Sequence, residues 1–322
     1  MSVETAGFRE ALARCAATWP TGVPRELLLY LDEPPQLPSG SPGKNGYLRL
    51  GFERRGAKSQ LIDLDRRAPL LVQQALYWDE ALPDLPCVFI ISNAGGILQG
   101  DRNVIEIAVG PAADAHVTTQ SATKIHEMDA NHAIQYQRLT LADGAYLEYL
   151  PDPLIPHRHA RFLTRTHIDI APTASLIYSE ILLGGRKYYR AGELFEYDLF
   201  SSTVAAQRPT GEELFVEKFV VEPGRRPVRA SGVMGPYDVF GNVLVVTPRP
   251  HADAIFAQVG AERNETEGWA AGISRLPNEA GLVYKVLGME TLPVRARIRE
   301  FWSVVRREIT GADVPTEFAW RK

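Results

Sequence analysis

A period of two runs through this chain and limits what it can become. From Tyr47 to about Val221, apolar and polar residues alternate in short runs broken by clusters of small and turn-forming residues. That is the pattern of strands, not of helices. LRLGFERR, LIDLD, VFIIS, VIEIAV, AHVTTQ, YQRLTL, AYLEYL, THIDIA, SLIYSEI and FEYDLF all follow it. Three units also repeat. IEIAVGPAADAHVTTQ, LTLADGAYLEYL and HIDIAPTASLIYSE each read strand, small-residue turn, strand. Their second strands open at Ala115, Ala145 and Ser175, a step of 30 residues each time (145 − 115 and 175 − 145). Repetition of one supersecondary unit marks stacked architectures, in which each unit buries a face against the next. The expected fold is therefore mainly β: a β-helix-like or solenoid stack of short strands with a few α-helices at the C-terminus. An antiparallel sandwich of similar hairpins is the alternative.

The flanks read differently. Glu4 to Trp19 predicts one helix, and Glu33 to Gly46, EPPQLPSGSPGKNG, a linker rich in proline and glycine. Residues 1–46 are thus an N-terminal helix and linker, and residues 47–322 a single β-rich domain. A helix is expected over 292–310, capped by Thr291, with Pro293 in its first turn and Gly311 past its end. Val294, Ile298, Phe301 and Val305 form its apolar stripe. Arg295, Arg299, Arg306 and Arg307 fall on the other side, as a solvated basic face that also suits docking of another protein.

Charge and composition exclude several classes. A net charge of -4 and a pI near 6.0 argue against nucleic acid or an anionic membrane as partner, since both call for a basic surface. Glu4, Arg9 and Glu10 stand where a secretory signal needs an apolar run, and no stretch approaches a membrane span. A cytoplasmic location is expected. Cys15 and Cys87 are too few for a thiolate metal site or a disulfide framework; Cys87, beside Val88 and Phe89, reads as a small core hydrophobe.

Four constellations invite chemistry. NAGGILQGDR, Asn93 to Arg102, has the glycine spacing of a phosphate-binding loop, but Asp101 and Arg102 replace the lysine and hydroxyl that phosphate and magnesium require. It reads instead as a strand, Cys87 to Ser92, ending in a glycine turn. HEMDANH, His126 to His132, fails as a zinc motif because Ala130 stands where the second histidine belongs. His157 and His159 in HRH would set two imidazoles on one side of an extended segment, a geometry that could hold nickel, copper or zinc. The plain alternative is two solvated loop histidines. No nucleophile elbow of the G-x-S-x-G kind is present. Among the acids, Glu148 in AYLEYLPDP sits where alternation would turn it to water. Glu180 in SLIYSEILLGGR is followed by Ile181, Leu182 and Leu183, so it reads as buried on both faces. A buried carboxylate costs several kcal/mol unless paired, hydrogen-bonded or bound to a cation.

SNAGGILQGDR, TTQSATKIHEM from Thr118, LEYLPDPLIPH from Leu147, SEILLGGR from Ser179 and GLVYKVLG with the arginine-rich helix together resemble the urease accessory protein family UreD, also called UreH. The likeness spans about Tyr47 to Trp320. Where family members usually carry a glycine pair before the aspartate, this chain has Gln99 and Gly100. The resemblance implies a non-enzymatic scaffold of β-helical character that binds UreF, recruits the GTPase UreG and docks on apo-urease so that nickel reaches the active site. It further implies a homodimer of UreD–UreF heterodimers, no permanently bound cofactor, and Ni²⁺ only in transit. Asp101, Glu148 and Glu180 would then line an internal route as weak oxygen ligands, with His157 and His159 as further candidates. Nickel prefers imidazole to carboxylate, so an acid-lined passage would hold it loosely enough to release it. Two rivals stand beside this: an interaction module with no metal role, and a solenoid-type carbohydrate-active enzyme, which would require paired carboxylates.

Overall fold

A computed structural model describes residues 3–19, 21–32 and 45–316. The expected linker, Glu33 to Gly46, lies outside the described residues except for Asn45 and Gly46. The body is mainly β, with one of its three α-helices at the C-terminal end.

Two large sheets face each other. Sheet one runs in the order β16 (Glu213–Val221), β15 (Leu199–Gln207), β11 (Arg161–Ile170), β8 (Ala133–Leu141), β5 (Arg102–Val109), β1 (Tyr47–Arg55) and β2 (Lys58–Arg67). Sheet two runs β18 (Glu262–Asn264), β19 (Trp269–Arg275), β20 (Gly281–Gly288), β17 (Val239–Val246), β12 (Ser175–Leu183), β9 (Tyr146–Tyr149), β6 (Asp114–Thr119), β4 (Cys87–Ser92) and β3 (Leu70–Leu71). The short strand β10 (Leu154–Pro156) lies between β12 and β7 (Thr123–Ile125), and β13 (Gly185–Arg186) pairs with β14 (Glu193–Leu194) in a separate hairpin.

The repeats act by crossing between the sheets. At β5–β6, β8–β9 and β11–β12 the chain leaves sheet one and enters sheet two through a turn closed by Ala113 N–H to Gly110 O, Ala145 N–H to Ala142 O, and Ala174 N–H to Ala171 O. All three donating alanines are buried, so only a small side chain fits. Each strand then pairs in parallel with its counterpart one repeat away. The ladder sets Ala115 against Leu147, and Leu147 against Leu176. The repeats are therefore uneven and not spaced at equal steps from Ala115 through Ala145 to Ser175. FEYDLF is a strand only at its end: Phe195 takes a left-handed φ of 58° and β15 begins at Leu199.

Parallel strands covered on both faces read as unbroken apolar runs, and β12 is buried along nearly its whole length. One core lies between the sheets, with Leu50, Ile107, Leu139 and Ile168 of sheet one against Val117, Leu147, Leu176 and Leu244 of sheet two. A second core covers the far face of sheet two. There Ile177, Ile181, Val243 and Val286 meet α2 (Arg249–Gln258) and α3 (Thr291–Thr310) through Ile255, Val294, Ile298, Phe301, Trp302 and Val305. On the other side of the molecule, α1 (Val3–Ala17) packs Phe8, Ala11 and Cys15 against Tyr47 and Val104 of sheet one. The N-cap of α3 is Glu290, not Thr291, and no side chain caps it. Gly311 ends the helix with a left-handed φ of 74°, the usual glycine stop. No helix among the described residues is long and apolar enough to cross a membrane.

Candidate functional site

The inner faces of β5, β8, β11 and β12 carry polar residues where the rest of the sandwich is apolar. They enclose a cavity of about 220 Å³ lined by Asn103, Gln137, Tyr149, Thr164, Tyr178 and Glu180. The lining is hydrogen-bonded to itself. Tyr149 Oη donates to Gln137 Oε1 at 2.6 Å, Gln137 Nε2 donates to Thr166 Oγ1 at 2.9 Å, and that hydroxyl lies 3.2 Å from Tyr178 Oη. Glu180 is 6% exposed and accepts a hydrogen bond from Ser202 Oγ at 2.7 Å. Burial pushes its carboxyl up to about 7, against the pull of Ser202, and the Glu217 carboxylate adds to the rise. Directly opposite on β17 stands Asn242. Its Nδ2 donates to Glu217 Oε2 at 2.7 Å, and its buried Oδ1 meets no donor among the described residues.

Glu148 has the opposite surroundings. Because Glu148 is in register with Ile177, it faces α3 and not the cavity. Its carboxylate accepts from Arg306 Nε and Nη2 at 2.7 Å each, from Trp302 Nε1 at 2.7 Å and from Tyr146 Oη at 2.6 Å, with His116 Nδ1 also 2.7 Å away. Asp79 takes the remaining arm of Arg306. Burial would raise the Glu148 carboxyl, but Arg306 and then His116 overcome it and hold the group well below the usual carboxylate range. Arg306 is therefore fully buried and not part of a solvated basic face. Its sequence signal was the fourfold spacing Ile298, Trp302, Arg306, one column beside the apolar stripe. Asp79 and His116 carried no comparable signal.

Asp101 closes the glycine turn. Gly95, Gly96 and Gly100 take φ of 75°, 153° and 77°, and Asp101 Oδ2 accepts from the Leu98 N–H at 2.8 Å. Asp101 is buried. Of the three acids, Glu180 lines the cavity, Asp101 closes a turn and Glu148 binds α3. His157 and His159 separate as well. His159, at a left-handed φ of 56°, turns to Asp198 at 3.1 Å. His157 is buried with its ring 4.9 Å from that of His126, and burial, with Arg186 nearby, pushes it down to about 4. Among the described residues no three His, Cys, Asp or Glu side chains gather where they could hold a metal ion.

Comparison with known proteins bears on what this arrangement serves. Residues 44–321 match the model of the UreD urease accessory protein family. The chain is 60% identical over 299 residues to the urease accessory protein UreD 2 of Brucella suis biovar 1, covering 93% of this chain and 99% of that protein. It is 53% identical over 296 residues to the urease accessory protein UreD of Photorhabdus laumondii, covering 92% of each.

Proposed function

This chain belongs to the UreD family of urease accessory proteins, and from its place in urease maturation we propose that it passes Ni²⁺ through the cavity between its sheets toward apo-urease. In this reading the chain acts as a scaffold and not as an enzyme. It works in the cytoplasm within a complex with UreF and the GTPase UreG, two UreD–UreF pairs forming the core of the assembly, and the parallel run of strands is a short β-helical stack whose hollow is the passage.

One observation carries the reading: Glu180 is a buried acid with no basic side chain paired to it among the described residues, and it stands across from the undonated Asn242 Oδ1. A buried carboxyl held by a hydroxyl but by no cation, beside an amide oxygen that meets no donor, is costly to ionise. A passing cation relieves that cost, and oxygen ligands hold nickel weakly enough to let it go. The reading assigns passage to Glu180 and leaves Asp101 and Glu148 as acids with local partners. The second reading, a plain interaction scaffold, draws on Glu148, whose acid is wholly occupied in fixing α3. Glu180→Gln separates the two. The accessory complex carrying it should keep its composition, while nickel delivered to apo-urease falls about tenfold, the equivalent of about 1.4 kcal/mol. Undiminished delivery from an intact complex leaves the scaffold reading.

A further inference from the structure

We infer that His126 and His157 together form a two-histidine binding site for a divalent transition-metal ion, set against the glycine wall of the inter-sheet cavity. The sequence motif HRH suggested His157 and His159 as partners, but sheet register makes a different pair. β7 and β10 run parallel with Ile125 opposite Pro156. The residue that follows each strand is a histidine, so the two side chains leave the ends of neighbouring strands at corresponding positions, where adjacent strands lie about 4.8 Å apart. The rings meet at 4.9 Å between centroids and 69° between planes.

The site adjoins the cavity through Gly95 and Gly96, both of which line it. A Cβ on Gly96 would come within 2.9 Å of His126 Cδ2 and Nε2 and 2.5 Å of the Lys124 carbonyl oxygen. Glycine thus leaves the His126 ring in contact with the cavity wall. The Gly95 carbonyl oxygen lies 3.5 Å from His126 Nε2, an additional oxygen beside the imidazoles. Paired imidazoles suit Ni²⁺, Cu²⁺ and Zn²⁺. With Lys124 and Arg186 near His157 and Glu193 only partly offsetting them, a dication is held weakly, as suits a site that must release its ion. This deepens the transit reading, resting on it only for the identity of the natural cargo as nickel.

The test uses the full chain, in its soluble complex where needed, with Ni²⁺ alone and then Cu²⁺ alone as probes. Unmodified protein should bind Ni²⁺ in equilibrium dialysis with an affinity that His126→Gln and His157→Asn each lower at least tenfold. Paramagnetic resonance of bound Cu²⁺ should report two imidazole nitrogens in the unmodified protein and one in each variant. His126 is the more exposed of the two, so its variant decides the matter should His157→Asn misfold. Unchanged affinity and an unchanged nitrogen count in folded His126→Gln overturn the site. Glu180→Gln in the same assay keeps the histidine signal. If that variant also delivers nickel normally, the cavity route fails while the histidine site stands.

Discussion

Glu148 and Glu180 lie on neighbouring strands of one sheet, both deeply buried, yet they point through opposite faces and live under opposite rules. Glu148 meets a guanidinium, an indole, a phenol and an imidazole beneath α3. Glu180 meets a serine hydroxyl, a neighbouring phenol and a cavity. Depth is equal, so burial does not set their roles; the difference is whether the fold supplies a fixed cation. A carboxylate given one becomes a rivet, and one denied it keeps an unmet demand for positive charge.

The largest expected effect is on the riveted side. Glu148→Ala takes from buried Arg306 the carboxylate that binds two of its nitrogens, and should cost about 3–5 kcal/mol of unfolding free energy in urea titrations. The double variant Glu148→Leu/Arg306→Met should cost less than either single change. If the double change is worse than both, the rivet picture fails. Next comes Glu180→Gln. The Glu180 carboxyl titrates at about 7 in the folded protein and near 4.5 when unfolded, so the native state holds its proton longer. Its contribution to stability is full below about pH 4.5 and is lost as pH rises through 7. Glutamine should remove that slope, a gain on the order of 3 kcal/mol above pH 8, read from the pH dependence of the urea midpoint. Glu148, held low, contributes in the opposite sense: its stabilisation is present above pH 4.5 and fades as the solution is acidified. The smallest change is His159→Ala. That ring is half exposed and pairs with Asp198, so stability should move by about 0.5 kcal/mol or less. Loss of nickel binding in that variant would move the metal site away from His126.

Much of the fold was legible because a strand declares itself locally. β4, β5, β6, β11 and β12 follow from alternation, and the crossing turns from their small residues. The side on which each strand buries its acid was not legible, because it depends on what covers sheet two. Alternation turned Glu148 to water; α3, placed there by residues far along the chain, turned that face into a core. The same distance hid Arg306, which looked solvated on a helical wheel drawn without the sheet beneath it. Glu180 could be read as buried because its neighbours are apolar on both sides, a purely local sign. The histidines show the limit most clearly. Two residues apart in sequence suggested a pair, whereas parallel register brought together His126 and His157 from the ends of different strands.

Arg306 also sets a clock. It is synthesised 158 residues after Glu148 and 227 after Asp79. At about 5–20 residues per second, a nascent chain holds Asp79 without its guanidinium for roughly 11 to 45 s, and Glu148 for roughly 8 to 32 s. During that time the outer face of sheet two lacks its counter-charge and the last turns of α3, so the strands can pair but their covering layer cannot close. Completion waits for translation to reach the last helical turns, and premature termination before residue 291 yields a body whose two acids lack their guanidinium and whose sheet lacks α3, a species marked for aggregation or removal.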